Sequence, residues 1–332
     1  MSLRGALAWR EVLPWLAGAA AVIVLSHRET FGLVALEAMS VGTPVVAYRV
    51  GNLPALLLVD GFNVLWAGTF GFPAPIFSHD KTRELTGVLA FFALLRATIR
   101  DDLDAEAPEV LVVFDGEHGT AERVAADEEY KANREATPEA LKPLQFLAPV
   151  KQGLDLHGIR WIEIDDAEAD DVIATLAVQS APTRTVRIMS RDADYYQLLT
   201  DQVKIINRSR KATRRLITAD EVVERYGVTP EQWPDFRALT GDSADNIPGV
   251  KGVGPKVAAG LLREGMRLDA LPGSDRLTGA KGRAVTEAWG DVLRWRDLIT
   301  MQRDLVLPLS PDGEVSPQLP KPADVVEKLG RW

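Results

Sequence analysis

The sequence contains no cysteine and only four histidines in 332 residues. The first absence excludes a disulfide framework, a zinc–thiolate site, an iron–sulfur cluster and a cysteine nucleophile. The second argues against a histidine-rich metal centre. Long apolar runs are missing too. The strongest, Trp15 to Leu25, has 11 residues, and a spanning helix needs roughly 18, so no membrane segment is expected. Arg4 and Arg10 precede that run, but Glu11 and Pro14 interrupt the approach and no clean cleavage site follows. A signal peptide is therefore not expected, and a cytoplasmic location is. Basic residues are in deficit: 38 Lys and Arg stand against 47 Asp and Glu, a net charge of −9. Taken alone, that balance disfavours a nucleic-acid partner.

What is present is a globular composition, 46% hydrophobic and 26% charged, with length for one large domain or two smaller ones. Residues 1–54 are nearly devoid of Lys and read strand–helix–strand, over Ala20–Leu25, Phe31–Met39 and Thr43–Tyr48. A new strand begins at Leu56 and ends at Asp60. Beyond it, Leu85, Val88, Leu89, Phe92, Leu95 and Ile99 share one helix face. Val110–Phe114, Trp161–Ile164 and Val186–Ser190 are further strands, with a helix over Glu168–Val178. Strands alternating with helices predict a mostly parallel sheet whose chemistry lies at the carboxyl ends of the strands. From about Thr218 the pattern turns helical, over 219–226, 231–240 and 255–263. The last 25 or so residues, from 306 on, are Pro-rich and are expected to form a loosely packed tail.

The acids cluster where that sheet presents its edge. Asp60 and Asp115 end strands. Glu168, Asp170 and Asp171 open a helix, Asp192 and Asp194 follow another strand, and Asp242 and Asp245 lie one helical turn apart. Each alone has a plainer reading as a helix cap, a turn residue or a helix N-terminus. Their order over about 190 residues favours convergence. Nine converging carboxylates require cations, and an all-oxygen set favours Mg²⁺ or Mn²⁺ over Zn²⁺. Setting the nine aside leaves 38 acids against 38 basic residues, so the net-charge objection weakens.

Six ordered motifs resemble the 5′-nuclease (flap endonuclease) family, close to the 5′–3′ exonuclease domain of bacterial DNA polymerase I. They are Leu57–Asn63, Val113–Gly116, Tyr130–Arg134, Glu168–Asp171, Ser190–Leu198 and Gly241–Val250, and the resemblance covers about residues 56–300. It implies a PIN-like α/β core with a helical arch over 55–216. A helix-hairpin-helix subdomain would follow over 217–305, with the tail over 306–332. It implies two metal positions, Asp60, Asp115, Glu168 and Asp170 at the first, and Asp171, Asp192, Asp194, Asp242 and Asp245 around the second. Lys131 and Arg134 match a catalytic basic pair at the arch, and Tyr130 would offer an unpaired base a stacking face. Gly249, Lys251, Gly252, Gly254 and Lys256 match a hairpin that grips duplex backbone, with K⁺ as a candidate ion there. The basic stretch from Lys204 to Arg215 reads either as a phosphate-contacting loop or as a solvated surface.

The implied activity is Mg²⁺-dependent hydrolysis of DNA at 5′ ends or flaps, by a monomer serving replication and repair beside a DNA polymerase. The residues left over fit no polymerase domain, so a stand-alone nuclease is implied. Two departures remove cations near the site: Trp66-Ala67 and Ala193 stand where many relatives carry an aromatic–Arg pair and a Lys. A non-catalytic, structure-specific DNA-binding protein is the alternative.

Residues 9–54 resemble something else, a fragment of the retaining glycosyltransferases with two Rossmann lobes. Glu29 and Glu37 match a Glu-x7-Glu pair and Gly32 a phosphate-facing helix start. One strand–helix–strand unit cannot bury both of its faces, so glycosyl transfer is not expected.

Overall fold

The computed structural model describes residues 9–24, 33–47, 53–103, 107–133 and 137–331. Glu29, Gly32 and Arg134 lie outside them. A six-stranded sheet has the order β5-β4-β3-β6-β7-β8. Its strands are β3 (Leu56–Asp60), β4 (Glu109–Asp115), β5 (Arg160–Ile164), β6 (Val186–Met189), β7 (Val203–Ile206) and β8 (Leu216–Ile217). All adjacent pairs are parallel except β7 with β8.

The apolar runs become strands because both faces of the sheet are covered. Leu56, Leu58, Leu111 and Val113 enter one core. Their neighbours Leu57, Val59, Val110 and Val112 enter the other. This is the two-residue alternation of a pleated strand. The second core is closed by α3 (Gly61–Gly71), α4 (Thr86–Asp101) and α6 (Leu147–Leu156), through Val64, Phe92 and Val150. Burying each such side chain contributes about 1.5–3 kcal/mol. Helix α5 (Ala121–Ala126) follows β4.

The first core is closed by α7 (Ala169–Ser180) and by a helical layer. That layer comprises α8 (Ala219–Tyr226), α9 (Trp233–Thr240), α10 (Pro255–Leu262), α11 (Gly279–Glu287) and α12 (Trp289–Ile299). Trp233, Phe236, Val285 and Val292 pack into the same cluster as α7, so the two parts share one core.

Two expectations change. The C-terminal tail is not loosely packed. Helix α13 (Pro322–Lys328) buries Val325 and Val326 against the second core. Arg96 Nη1 donates to Leu319 O at 2.6 Å, and Asp312 N and Gly313 N donate to the buried Glu109 carboxylate. The prolines stop helix formation ahead of α13 but leave these contacts free to form. The arch is also not a helix through Tyr130: after the six residues of α5 the chain runs in turns to residue 133, with Lys131 at φ 57°.

The N-terminal segment forms helices α1 (Trp9–Ala17) and α2 (Leu33–Ser40) around a separate pair of parallel strands, β1 (Val22–Val24) and β2 (Val45–Ala47). Thr43 Oγ1 donates to Leu16 O at 2.7 Å. Trp15, Ile23, Leu36 and Met39 remain exposed, as expected of a unit with too few layers to cover both faces.

Candidate active site

Parallel strands bring their carboxyl ends to one edge, and the acids gather there. Asp60 closes β3 and caps α3, its Oδ1 accepting from Asn63 N at 3.0 Å. Its Oδ2 accepts from Ser190 Oγ at 2.9 Å, with Tyr195 Oη 3.4 Å away. Asp115 closes β4, and its Oδ1 accepts from Ala169 N at 2.7 Å, tying the strand to the start of α7. Gly116 permits that approach: a Cβ there would lie 1.9 Å from Ile164 O. Glu168 sits at the N-cap of α7, and Asp170 Oδ1 accepts from Tyr195 Oη at 2.8 Å. Past β6, Asp192 Oδ1 accepts from Asp194 N at 2.9 Å. Asp242 begins a tight turn, pairing both ways with Ile247 at 2.7 Å and accepting from Ala244 N at 2.8 Å. Arg237 forms an ion pair with it.

The electrostatics show which acids face one another. Burial raises the Asp60 carboxyl well above its usual range, and Asp170 and Asp115 add to the shift. Asp115 is pushed up to about 6 by burial and then by Asp170. Asp192 is pushed up to about 7 by burial, then by Asp170, Asp245 and Asp242. Asp194 is raised by burial, then by Asp192 and Asp242. Asp170 thus joins two sets, Asp60–Asp115 on one side and Asp192–Asp194–Asp242–Asp245 on the other. Burial also raises Glu168, against the pull of Lys131 and Arg123.

These acids fit divalent cations: every donor is a hard oxygen, and Asp194 Oδ1 is buried without a protein partner. They are not drawn tight. Among the described residues, the His, Asp and Glu ligand atoms that approach within 4.8 Å in a group of three belong to His118, Asp165 and Asp166, all exposed.

Three expected roles do not match the geometry. Asp171 does not face the cluster. Its Oδ1 accepts from Arg123 Nη2 and from Gln302 N, both at 2.8 Å. The side chain is tied to α5 and to the segment after α12 rather than to the second set of acids. Tyr130 is only 5% exposed, with its hydroxyl 3.4 Å from Glu168 Oε2, and offers no open stacking face. Lys131 does not stand above the acids. Its Nζ lies 2.9 Å from both Glu168 oxygens, and its N–H donates to Asp245 O at 3.1 Å. The cause in both cases is the strap of turns, which folds onto the 243–246 loop. Asn133 Nδ2 donates to Ser243 O, and Asn246 Nδ2 to Glu129 O, each at 2.7 Å.

In the hairpin, Gly249 and Gly252 take left-handed φ values of 67° and 79°. Gly254 caps α10, and Lys251 and Lys256 are exposed beside it. Most of the basic stretch is consumed by structure. Arg208 pairs with Asp101 and Asp102, Arg210 with Glu221 and Arg215 with Asp102. Lys211 and Arg214 remain exposed.

Two residues escaped sequence reasoning. Arg123 bridges Glu168 and Asp171 at 2.8 Å each, and its Nε donates to Leu298 O at 3.0 Å. Nothing near it in the chain marks it. Tyr195 follows Asp194 directly inside the Ser190–Leu198 motif, and that adjacency was the available signal.

Comparison with known families agrees with this geometry. A family model described as the N-terminal resolvase-like domain of 5′-3′ exonuclease matches residues 55–227. The chain belongs to that family. Its C-terminal SAM-fold model matches residues 228–321, and one for group 1 glycosyl transferases matches residues 2–68. The thermostable DNA polymerase I of Thermus aquaticus is 38% identical over 255 residues, 76% of this chain and 29% of that protein. The DNA polymerase I of Mycobacterium bovis is 36% identical over 267 residues, 78% of this chain and 28% of that protein. The chain therefore spans less than a third of these relatives. The T5 D15 protein, crystallised with metal ions, shares the fold at a TM-score of 0.61 and 22% identity, over 75% of this chain and 90% of that one. Among the described residues no helix is long and apolar enough to cross a membrane.

Proposed function

We propose that the chain is a divalent-metal-dependent nuclease that hydrolyses phosphodiesters of DNA at 5′ ends or flaps. One observation carries the reading: carboxylates from five chain segments are buried against one another at the open edge of a parallel sheet. Such an arrangement is costly unless cations occupy it. Asp60, Asp115, Glu168 and Asp170 would hold one ion, and Asp192, Asp194, Asp242 and Asp245 the other. Mg²⁺ is the expected ion and Mn²⁺ the expected substitute. Bound there, the ions would activate water and stabilise the leaving oxygen. The chain's own groups fix the acids: Ser190 orients Asp60, Tyr195 orients Asp170, and Arg123 anchors the Glu168–Asp171 turn. Arg134, beyond the described strap, is the cation proposed to meet the phosphate, and Lys131 is proposed to join it only on leaving Glu168. Residues 55–216 would form the catalytic unit and 217–305 the duplex-gripping unit, with Gly249 to Lys256 on the backbone and K⁺ as a candidate ion. Residues 1–54 take no part in this reading. A cytoplasmic monomer working near a DNA polymerase is the setting it implies.

The experiment is cleavage of a 5′-labelled flap duplex with Mg²⁺ and with EDTA, beside Asp170→Ala. Mg²⁺-dependent cutting near the junction, lost in the variant, is expected. A folded protein that binds the duplex without cutting it would establish the DNA-binding alternative.

A further inference from the structure

Beside the acids lies a cleft that the proposed reaction does not use. It has a volume of about 310 Å³ and runs between α3 and the carboxyl ends of β6 and β7. Val64, Ala67, Gly71, Met189 and Ile206 contribute its apolar surface. The hollow exists because, past Val64, this face of α3 carries only Ala67, Gly68 and Gly71. At Gly68 a Cβ would come 2.8 Å from Ala90 Cβ, so α3 is drawn close against α4. At Gly71 a Cβ would meet nothing within 4 Å.

The polar lining is of a different kind. Asn63, Arg191 and Ser209 contribute to the cleft. The Arg191 guanidinium rests on a neutral group, with Nε 3.4 Å from Asn63 Oδ1. The Arg208 guanidinium, also in the lining, is balanced by Asp101 and Asp102. Arg191 therefore presents positive charge in a protein whose net charge is −9. Ser190 is shared with the acid site: its Oγ donates to Asp60 Oδ2 and accepts from Asp192 N at 3.1 Å. Whatever occupies the cleft is one side chain away from the acids.

We propose that this cleft binds a nucleotide, with the base against the apolar wall and the phosphate toward Arg191. A small apolar hollow with a few convergent polar groups is the ordinary form of a small-molecule site. A flat base needs apolar faces with a donor and an acceptor at its edge; Asn63 Nδ2 supplies the donor, since Asn63 Oδ1 accepts from Arg191, and Ser209 Oγ, which donates to Asn207 Oδ1 at 2.6 Å, supplies the acceptor. An anionic phosphate needs a cation that is not already neutralised. Two sources carry this chemistry, a free mononucleotide and the terminal nucleotide of a strand; the second rests on the nuclease reading.

The test is calorimetric titration of dAMP into the full chain in EDTA, so that no cleavage is involved. Gly71→Leu places a side chain in the open space of the cleft, and Ala67→Leu does so one turn earlier. Circular dichroism melts check that each variant folds. Saturable dAMP binding that weakens at least tenfold in a folded variant is expected. Undetectable binding to the parent chain, affinity unchanged in both folded variants, or equal binding of inorganic phosphate overturns the proposal. A 5′-phosphorylated trinucleotide that weakens in parallel assigns the cleft to strand ends. One that is unaffected while dAMP weakens assigns it to the free nucleotide. Flap cleavage by the parent chain is scored separately, so either reading can fail while the other stands.

Discussion

Replacing Tyr195 by Phe removes one oxygen from the centre of the acid cluster and nothing else. The ring is fully buried and stays in place, so no cavity forms. The lost hydroxyl donates to Asp170 Oδ1 at 2.8 Å, while its distance to Asp60 Oδ2, 3.4 Å, is too long to add much. A hydrogen bond to a charged group contributes about 1.5–3 kcal/mol. In a domain of this size 1 kcal/mol corresponds to roughly 2–4 °C of Tm. The metal-free variant is therefore expected to melt about 3–12 °C below the parent chain. Tyr196→Phe is the control. It makes the same chemical change one residue on, where the ring packs against Trp233 at an interplanar angle of 54° rather than facing the acids, and a smaller shift is expected. Thermal melts in EDTA followed by circular dichroism measure both. Equal shifts for the two variants, or no shift for Tyr195→Phe, would refute the idea that this hydroxyl holds Asp170.

The pH dependence has a definite sign. Asp115 and Asp192 are pushed up to about 6 and about 7. Between the unfolded value near 4 and these values, the folded chain holds protons that the unfolded chain releases. Metal-free stability should thus fall as pH rises from about 4 to about 7, and urea melts in EDTA at pH 5 and pH 8 test it; stability that rises over that window would contradict the assigned burial and mutual repulsion of these acids. Mg²⁺ should oppose the loss, by about 2.7 kcal/mol at a hundredfold excess over its Kd. Asp170→Asn should blunt that gain in the same melts. Gly249→Ala forces a left-handed φ of 67° on a residue whose Cβ would lie 2.3 Å from Gly241 N. It should cost about 1–2 kcal/mol from conformation alone and weaken duplex binding in a filter assay, and wild-type affinity would show that the hairpin does not grip DNA. Deleting residues 1–52 should leave the nuclease melt within about 2 °C. The paired strands of that segment form their own sheet, and Leu56 N and Glu109 N keep their bonds to Thr185 O and Ala55 O. A larger drop would mean that the segment braces β3.

The strands and most of the acid site were legible because both follow short-range rules. A parallel strand covered on two faces must be apolar throughout, so Leu56–Val59 and Val110–Phe114 announce themselves, and an acid at the end of each lands on the functional edge. The tail, Tyr130 and Arg123 were not legible, because their partners lie far away in sequence. Val325 packs into the core of α4, Tyr130 reaches Glu168, and Arg123 reaches Leu298 O. Asp171 belongs with them, since its partners Arg123 and Gln302 also lie far along the chain. The sequence also posed a false choice, between Asp60 as a cap and Asp60 as a ligand. A carboxylate has two oxygens and about four acceptor positions. Asp60 fastens α3 with Oδ1 and turns Oδ2 toward Ser190 and Tyr195. Asp115 fastens α7 with Oδ1, and Asp192 uses Oδ1 on Asp194 N. In each case one oxygen holds the backbone that sets where the other points. Asparagine at these positions would keep a capping oxygen and lose the charge. The Asn variants of Asp60 and Asp115 are therefore expected to fold and to lose divalent binding, whereas Ala variants lose the cap as well.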